Sequence, residues 1–387
     1  MNNDKFDIAK INNSIKSVEK EFNKIDEWFI PRDRKSFYLT HDFHPYFAAY
    51  PPELVSKLLN KYSKKGEVFL DPFMGGGSSV VEGFTNQRVT IGIDISPLAN
   101  FISKVKTKPF KINEKEIHSL LADIKIDIFN QKLKRYEHFS YKIPQVTNID
   151  KWFSKESKYD LAIILHQIQT LKDEDPKNFL LLAFSSIIRK VSNAKNAQQH
   201  LCIKKGKKIP PVYPCFEKKV LLMIDQMKEY VNNLGDISNY KLPTLHSYDI
   251  RIMTEIIPKN SVDIIITSPP YGTGLRYTDV NRLNFEWLEL SKPKKNETME
   301  TSKDFKFELK RAMQEMYDVL KEGKYCFIVY GDPSTEDSLT RAAITDALEV
   351  GFTYEGLISC PIEKTVGNHH EKYRRFIPKD FILIFKK

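Results

Sequence analysis

The sequence predicts an open, mostly parallel α/β sheet of roughly seven strands, interrupted by a helical and basic subdomain. Three observations predict this. Short apolar runs at Glu67–Asp71, Val89–Asp94 and Val262–Thr267 each end at a polar residue and lead through a turn toward helical periodicity. That rhythm stops between about Phe110 and Tyr240, where helical periodicity and a run of basic residues take over. It resumes at Thr244 and continues to the end of the chain.

The elements follow in order. Apolar residues at Ile8, Ile11, Ile15, Val18, Phe22, Ile25 and Phe29 alternate spacings of three and four, which makes a helix with one narrow stripe. That stripe packs on the protein's own body or pairs two copies into a homodimer. Glu67–Asp71 is a buried strand, and the helix after its glycine turn begins at the capping residues Ser78 and Ser79. Val89–Asp94 is the second strand, followed by a helix through Pro97. Thr244–Asp249 is the third strand, and Val262–Thr267 the fourth. Asn281–Leu290 reads as a helix covering the sheet, with Arg282 in reach of the site. The polar tract Ser291–Thr298 has too little apolar surface to order itself and reads as a mobile loop. A helix near Phe305–Leu320, a strand Tyr325–Tyr330, a helix near Ser338–Val350 and strands Phe352–Ser359 and Phe381–Phe385 complete the sheet. The expected divisions are 1–35 (amphipathic helix), 36–109, 110–240 (helical basic insert) and 241–387.

Charge and composition narrow the function classes. The 387 residues hold 60 Lys+Arg against 50 Asp+Glu, a net charge of +10. Nine basic residues lie between Arg189 and Lys219: Arg189, Lys190, Lys195, Lys204, Lys205, Lys207, Lys208, Lys218 and Lys219. Only Glu217 opposes them, so this stretch carries most of the excess and suits a polyanion such as a nucleic acid. A solvated surface loop is the plainer alternative. No apolar run approaches the length that crosses a bilayer, and the N-terminus lacks an apolar signal core. Four scattered cysteines form neither a disulfide scaffold nor a paired zinc motif, which points to a reduced, cytoplasmic protein with no metal.

Two motifs carry chemistry. Asp71-Pro-Phe-Met-Gly-Gly-Gly-Ser-Ser79 ends one strand and opens a helix, where Gly75 and Gly77 let backbone approach a ligand. It lacks the lysine of a phosphate-binding loop, which disfavours a nucleoside triphosphate. Asp94 closes the next strand, where an acid accepts both hydroxyls of a ribose. The pair points to a nucleoside ligand, and Asp249 is a candidate acceptor for its adenine amine. The second motif is Thr267-Ser-Pro-Pro-Tyr271, directly after a buried strand. Its prolines remove backbone donors and stiffen the turn, leaving the Ser268 hydroxyl and the Pro269 carbonyl as fixed acceptors. With the ring of Tyr271 beside them, they suit an exocyclic amine on a flat base.

With these residues the sequence resembles the S-adenosylmethionine-dependent DNA amino-methyltransferases. Asp71 to Gly77 looks like that family's cofactor turn, and Ser268 to Tyr271 like its catalytic tetrad. His44-Pro-Tyr-Phe-Ala-Ala-Tyr-Pro-Pro-Glu-Leu-Val55 is similar to the segment that closes over the methionine moiety. The resemblance covers roughly 36–105 and 244–387, with the cofactor motif before the catalytic motif and the recognition region between them. It implies a Rossmann-like seven-stranded methyltransferase sheet. It implies S-adenosyl-L-methionine held by Asp71, Phe73, Gly75, Gly77, Asp94, Ile95 and Asp249, and catalysis by Ser268, Pro269, Pro270 and Tyr271. Arg189, Lys190, Lys204, Lys205, Lys207 and Lys208 would meet double-stranded DNA, and a cognate restriction endonuclease is a further expected partner.

Serine at the first tetrad position looks like the cytosine-N4 group, whereas Asp or Asn there mostly resembles adenine-N6 enzymes. An adenine-N6 enzyme, an RNA amino-methyltransferase and a non-enzymatic DNA-binding protein are the alternatives. Pro214-Cys215 would serve a cytosine-C5 enzyme but has no strand before it. His200, Cys202 and Cys215 lack the spacing of a zinc site.

Overall fold

The computed structural model describes residues 26–27, 38–46, 51–196, 201–238, 240–270, 277–294, 297–299, 305–331, 339–361 and 379–387. Two strands far apart in sequence lie side by side in the middle of its sheet. Strand β2 (Val68–Asp71) pairs in parallel with β5 (Val262–Thr267) on one side and β3 (Val89–Ile93) on the other. The remaining strands are β1 (Asp26–Glu27), β4 (Thr244–His246), β6 (Leu320–Gly331), β7 (Thr353–Pro361) and β8 (Lys379–Lys386). The order is β1-β7-β8-β6-β5-β2-β3-β4, and every pairing is parallel except those of β8 with β6 and β7. This is the expected Rossmann-like α/β sheet, with one short edge strand more than the seven expected.

Successive residues of the central strands point to opposite faces, and helices cover both faces. Leu70, Ile265, Ile328 and Leu383 enter one core, whereas Phe69, Ile264, Ile266, Phe327 and Ile382 enter another. Burial on both sides explains the continuous apolar runs. The first core is closed by α11 (Phe305–Val319) and α12 (Leu339–Val350), and the second by α1 (Pro52–Tyr62).

Helices α2 (Ser78–Thr85) and α3 (Pro97–Thr107) follow β2 and β3. The insert is helical as expected: α4 (Glu114–Leu133), α5 (Ile149–Trp152), α6 (Lys155–Gln169), α7 (Glu174–Ile187) and α8 (Val212–Leu234). Side chains of Asn113, Ser154 and Asp173 cap α4, α6 and α7 by accepting backbone N–H bonds. The insert shares one core with Val81 and Phe84 of α2 and Leu98 and Ile102 of α3. It is fused to the sheet's own helices rather than attached by a linker.

Four expectations change. Asp26–Glu27 forms β1 beside β7, so the helix expected over Ile8–Phe29 does not run through those residues; its remainder lies outside the described residues. The third strand stops at His246, because Asp249 instead caps the short 3-10 turn Ile250–Glu255 by accepting from the Arg251 N–H. Helix α10 (Arg282–Trp287), preceded by α9 (Tyr277–Val280), packs on the insert rather than the sheet. There Trp287 meets Phe153 and Phe184 edge-on at 5.6 and 5.9 Å, and the Arg282 guanidinium lies over the Trp152 ring at 5.3 Å. Finally, part of the polar tract is not loose: Thr298 and Met299 are buried. Among the described residues no helix is long and apolar enough to cross a membrane.

Candidate active site

Strand order reverses at β2 and β5, since the chain builds outward from β2 through β3 and β4 and then returns to the other side. Loops leaving the two central strands therefore diverge, and a crevice opens at their carboxyl ends. An open cleft of about 1000 Å³, counted out into solvent, lies there. Its walls come from the segments that follow four strands: Pro72–Gly76 after β2, Asp94–Ser96 after β3, Tyr248–Ile250 after β4, and Ser268 with Pro270 after β5. Both sequence motifs thus reach one cavity.

A single carboxylate joins them. Asp71 is fully buried at the end of β2. Its Oδ1 accepts from the Phe73 N–H at 2.9 Å and from the Thr267 hydroxyl of β5 at 2.7 Å, and its Oδ2 accepts from the Ser79 hydroxyl of α2. Asp71 is not among the residues lining the cleft, and its bonds brace the turn, α2 and β5. Gly77 does not line it either. With φ at +76°, Gly77 turns the chain into α2 against Ser103, whose Oγ would lie 2.5 Å from an added Cβ. Gly75 and Gly76 do face the cleft, under the ring of Tyr46, and a Cβ at Gly76 would sit 2.6 Å from that of Tyr46.

Asp94 lines the cleft and accepts two backbone bonds. Oδ2 accepts from the Gly75 N–H at 3.0 Å and Oδ1 from the Ser96 N–H at 2.8 Å. Each carboxylate oxygen can accept a second bond, so both keep capacity for a neighbouring pair of hydroxyls. Burial pushes the Asp94 carboxyl up to about 6, against the pull of those two N–H bonds. Phe73 and Ile95 also line the cleft. Asp249 lines it, yet its carboxylate is already engaged by Arg251, whose Nε lies 2.9 Å from both oxygens.

Of the tetrad, Ser268 and Pro270 line the cleft and Pro269 is buried, while Tyr271 lies outside the described residues. Tyr277, a few residues on, stacks nearly parallel to Tyr46, with centroids 6.1 Å apart and planes 9° apart. This pair joins the segment before the glycine turn to the segment after the tetrad. Sequence reasoning did not find Tyr277, because a lone tyrosine in a polar stretch gives no periodic signal. From the segment expected to close over the ligand, Tyr46 reaches the cleft. His44 is an anchor instead: its Nε2 is 2.9 Å from the Ser185 Oγ of α7, and burial pushes the imidazole down to about 3, so it stays neutral. Residues 47–50 of that segment lie outside the described residues.

The basic stretch divides into two kinds of residue. Lys190, Lys204, Lys205 and Lys208 are exposed. Lys207 is not a free contact, because its ammonium donates to the carbonyls of Arg189, Ser192 and Ala194 at 3.0, 2.8 and 2.8 Å and to Asn196 Oδ1 at 2.9 Å. Arg189 is half-buried and donates to the Lys195 carbonyl at 2.7 Å. These two hold the loop in shape. Lys219 likewise donates to the Asp42 carbonyl.

The Asp71 brace makes a direct prediction. Thr267→Val keeps shape but removes one donor from a buried carboxylate, which should cost about 1–3 kcal/mol of stability. A urea midpoint equal to that of the unaltered protein would show that this bond does not hold the two motifs together.

Comparison with known proteins agrees with the site. Residues 2–104 match the profile of a DNA methylase family, the N6/N4 methyltransferases, over a stretch that includes the glycine turn and Asp94 and ends before Ser268. The chain is 30% identical over 290 residues to the type II methyltransferase M.MvaI of Kocuria varians, covering 71% of this chain and 63% of that protein. It is 22% identical over 365 residues to the type II methyltransferase M.MjaII of Methanocaldococcus jannaschii, covering 73% of this chain and 68% of that one. It thus spans a little under two thirds of the Kocuria relative's length. An rRNA methyltransferase, AviRa from Streptomyces viridochromogenes, superposes with a TM-score of 0.36 at 9% identity, over 88% of this chain and 87% of that one. The methylase profile supports S-adenosyl-L-methionine as the cofactor, in a chain similar to DNA amino-methyltransferases.

Proposed function

We propose that this protein methylates the exocyclic N4 amine of a flipped cytosine in double-stranded DNA. The observation that carries the reading is the Asp71 brace, which sets Ser268 on the same cleft as the glycine turn and Asp94. A cofactor-binding module with no reaction to perform would not need the second motif there.

S-adenosyl-L-methionine supplies an electrophilic methyl group when bound. Asp94 would hold its ribose, and Gly75 and Gly76 would allow backbone close approach. The amine of the target base is a poor nucleophile, because its lone pair is delocalised into the ring. Ser268, accepting a hydrogen bond from that amine, would favour the pyramidal nitrogen and so raise its reactivity. Pro269 and Pro270 have no N–H to compete with this acceptor. Alignment of the two reactants can itself save about 7–11 kcal/mol of barrier. The base must leave the helix at a cost of a few kcal/mol, and Tyr271 is the candidate ring to stack on it. Lys190, Lys204, Lys205 and Lys208, exposed on the insert, would meet DNA phosphates. The type II names of the relatives support a restriction-modification setting with a partner endonuclease, in the cytoplasm.

Cytosine is favoured over adenine because a serine oxygen is neutral and shorter than a carboxylate. It must meet the amine of a base seated deeper in the pocket, where a pyrimidine fits better. Digesting methylated DNA to nucleosides and weighing them decides the base: N4-methylcytosine is expected, and N6-methyladenine alone would overturn the assignment. In the same assay Ser268→Ala should lower kcat by about 10²–10³ with little change in cofactor affinity.

The cofactor site carries a pH dependence. Only ionised Asp94 accepts on both oxygens, so affinity should be full above pH 7 and weaken as pH falls through about 6. Stability takes the opposite sign. The folded carboxyl binds a proton more readily than an unfolded one, so between the ordinary value of 3.8 and about 6 Asp94 costs stability as pH rises. Titration calorimetry from pH 5 to 8, compared with Asp94→Asn, tests this; equal pH profiles would remove Asp94 from the site.

For the insert, replacing Lys204, Lys205 and Lys208 by alanine should flatten the salt dependence of DNA binding, by about 0.9 for each phosphate they would otherwise neutralise. An unchanged slope would make them a plain solvated loop. Lys207→Ala should instead destabilise the loop, since it strands several carbonyls.

A further inference from the structure

One wall of the cleft joins a segment that follows a strand to one that does not. It comes from Tyr248–Ile250, which follows β4, and from Glu297–Met299, at the end of the polar tract. Met299 enters the sheet's first core, and polar bonds add to that anchor. The bond across the two segments is made by Arg251. Its Nε donates to both oxygens of Asp249 at 2.9 Å, and its Nη2 donates to Asp249 Oδ2 at 2.5 Å. The same Nη2 lies 3.2 Å from the Glu297 carbonyl oxygen, while Nη1 donates to Glu308 Oε2 of α11 at 2.8 Å. The side chains of Arg251, Asp249 and Glu308 are 13%, 26% and 17% exposed, so solvent competes weakly for these bonds.

We propose that Arg251 is a positioning residue for the cofactor, orienting the Asp249 carboxylate and clamping Glu297–Met299 within that wall of the cleft. The inference rests on the cofactor and methyl-transfer reading above. Three features of the geometry support it. The guanidinium fork presents donors in several fixed directions, and here it spans a carboxylate, a carbonyl and a second carboxylate; an ammonium is a single point and cannot span all three. Asp249 accepts from three N–H groups of Arg251, namely the backbone amide on Oδ1, Nε on both oxygens and Nη2 on Oδ2. Held at both oxygens, the carboxylate on the cleft wall can no longer turn. Third, the groups placed for chemistry, Ser268 and Pro270, follow β5 and are braced separately through Thr267 and Asp71. Loss of Arg251 should then loosen ligand binding while leaving the chemical step intact. A wall that must order on binding charges its entropy to affinity.

The test is a split between KM and kcat. Arg251→Met keeps length and removes every donor. Its KM and dissociation constant for S-adenosyl-L-methionine should rise by about tenfold or more, with kcat at saturating cofactor within about twofold of the unaltered enzyme. Arg251→Lys, which keeps the charge, should rise by an intermediate amount. Glu308→Gln leaves the Asp249 and Glu297 bonds in place and should change KM by no more than about threefold. Should Arg251→Met not fold, the lysine variant decides alone. Unaltered KM in the folded variants, or a fall in kcat without a rise in KM, would overturn the assignment. Failure of the unaltered protein to bind S-adenosyl-L-methionine in the same titration would overturn the functional reading itself, and this inference with it.

Discussion

The site depends on one buried carboxylate. Asp71 lies at the carboxyl end of the middle strand with no exposure to solvent, so its charge must be met by protein donors. Those donors come from the turn (Phe73 N–H), the next helix (Ser79) and the neighbouring strand (Thr267). Each is a constraint on a different piece of chain. Together they fix the distance between two motifs that stand nearly two hundred residues apart. Removing one donor leaves a buried acceptor short, which is why neither turn nor strand end can drift alone. A second acid does similar work at the other edge. Asp263, at the start of β5, accepts from the Val68 N–H of β2 at 3.0 Å and from Lys321 at 2.9 Å. Burial alone would raise its carboxyl, yet these donors hold it below the usual range.

With β2 and β5 pinned at both ends, the cleft's position follows from topology. Parallel strands end on the same edge, and reversal of the winding direction parts the loops at one place only. The apolar alternation that buries both faces of β2, β5, β6 and β8 keeps that edge rigid. Insert and sheet are equally bound, since Trp287 and Phe184 share a core with Phe84 and Ile102. A region that meets DNA through the insert would thus be held in fixed relation to the cleft.

Much of this could be read from the sequence, and the exceptions have physical reasons. Apolar runs of buried strands and glycines at a strand end are local signals, so β2, β3, β5 and the turn were all legible. The same holds for Asp94, whose position after β3 is a matter of spacing. What sequence alone does not carry is pairing between distant polar groups. The bonds of Asp71 to Thr267 and Ser79 have no sequence signal. Lys207 counts as one of nine cations until three carbonyls are seen around its ammonium. Asp249 reads as a strand end, but its own Arg251 N–H draws it into a cap. The polar tract reads as loose because part of its anchor is a guanidinium far away in sequence. Arg282 and the edge strand at Asp26–Glu27 fail for the same reason: each is settled by a partner in another segment.

Charge has two opposite distributions in this chain. The cleft is acidic, with Asp94, Asp249 and Glu297 on its walls, whereas the excess of positive charge lies on the insert. On the proposed function, a sulfonium cofactor would be attracted by the first field and the phosphates of DNA by the second. Were the basic residues placed around the cleft, they would repel such a cation. Separation also suits turnover. Methyl transfer would remove the sulfonium charge, so the attraction of the ligand to the acidic walls would weaken while contacts to phosphate would not. On that reading, cofactor exchange and DNA retention would draw on different parts of the same surface.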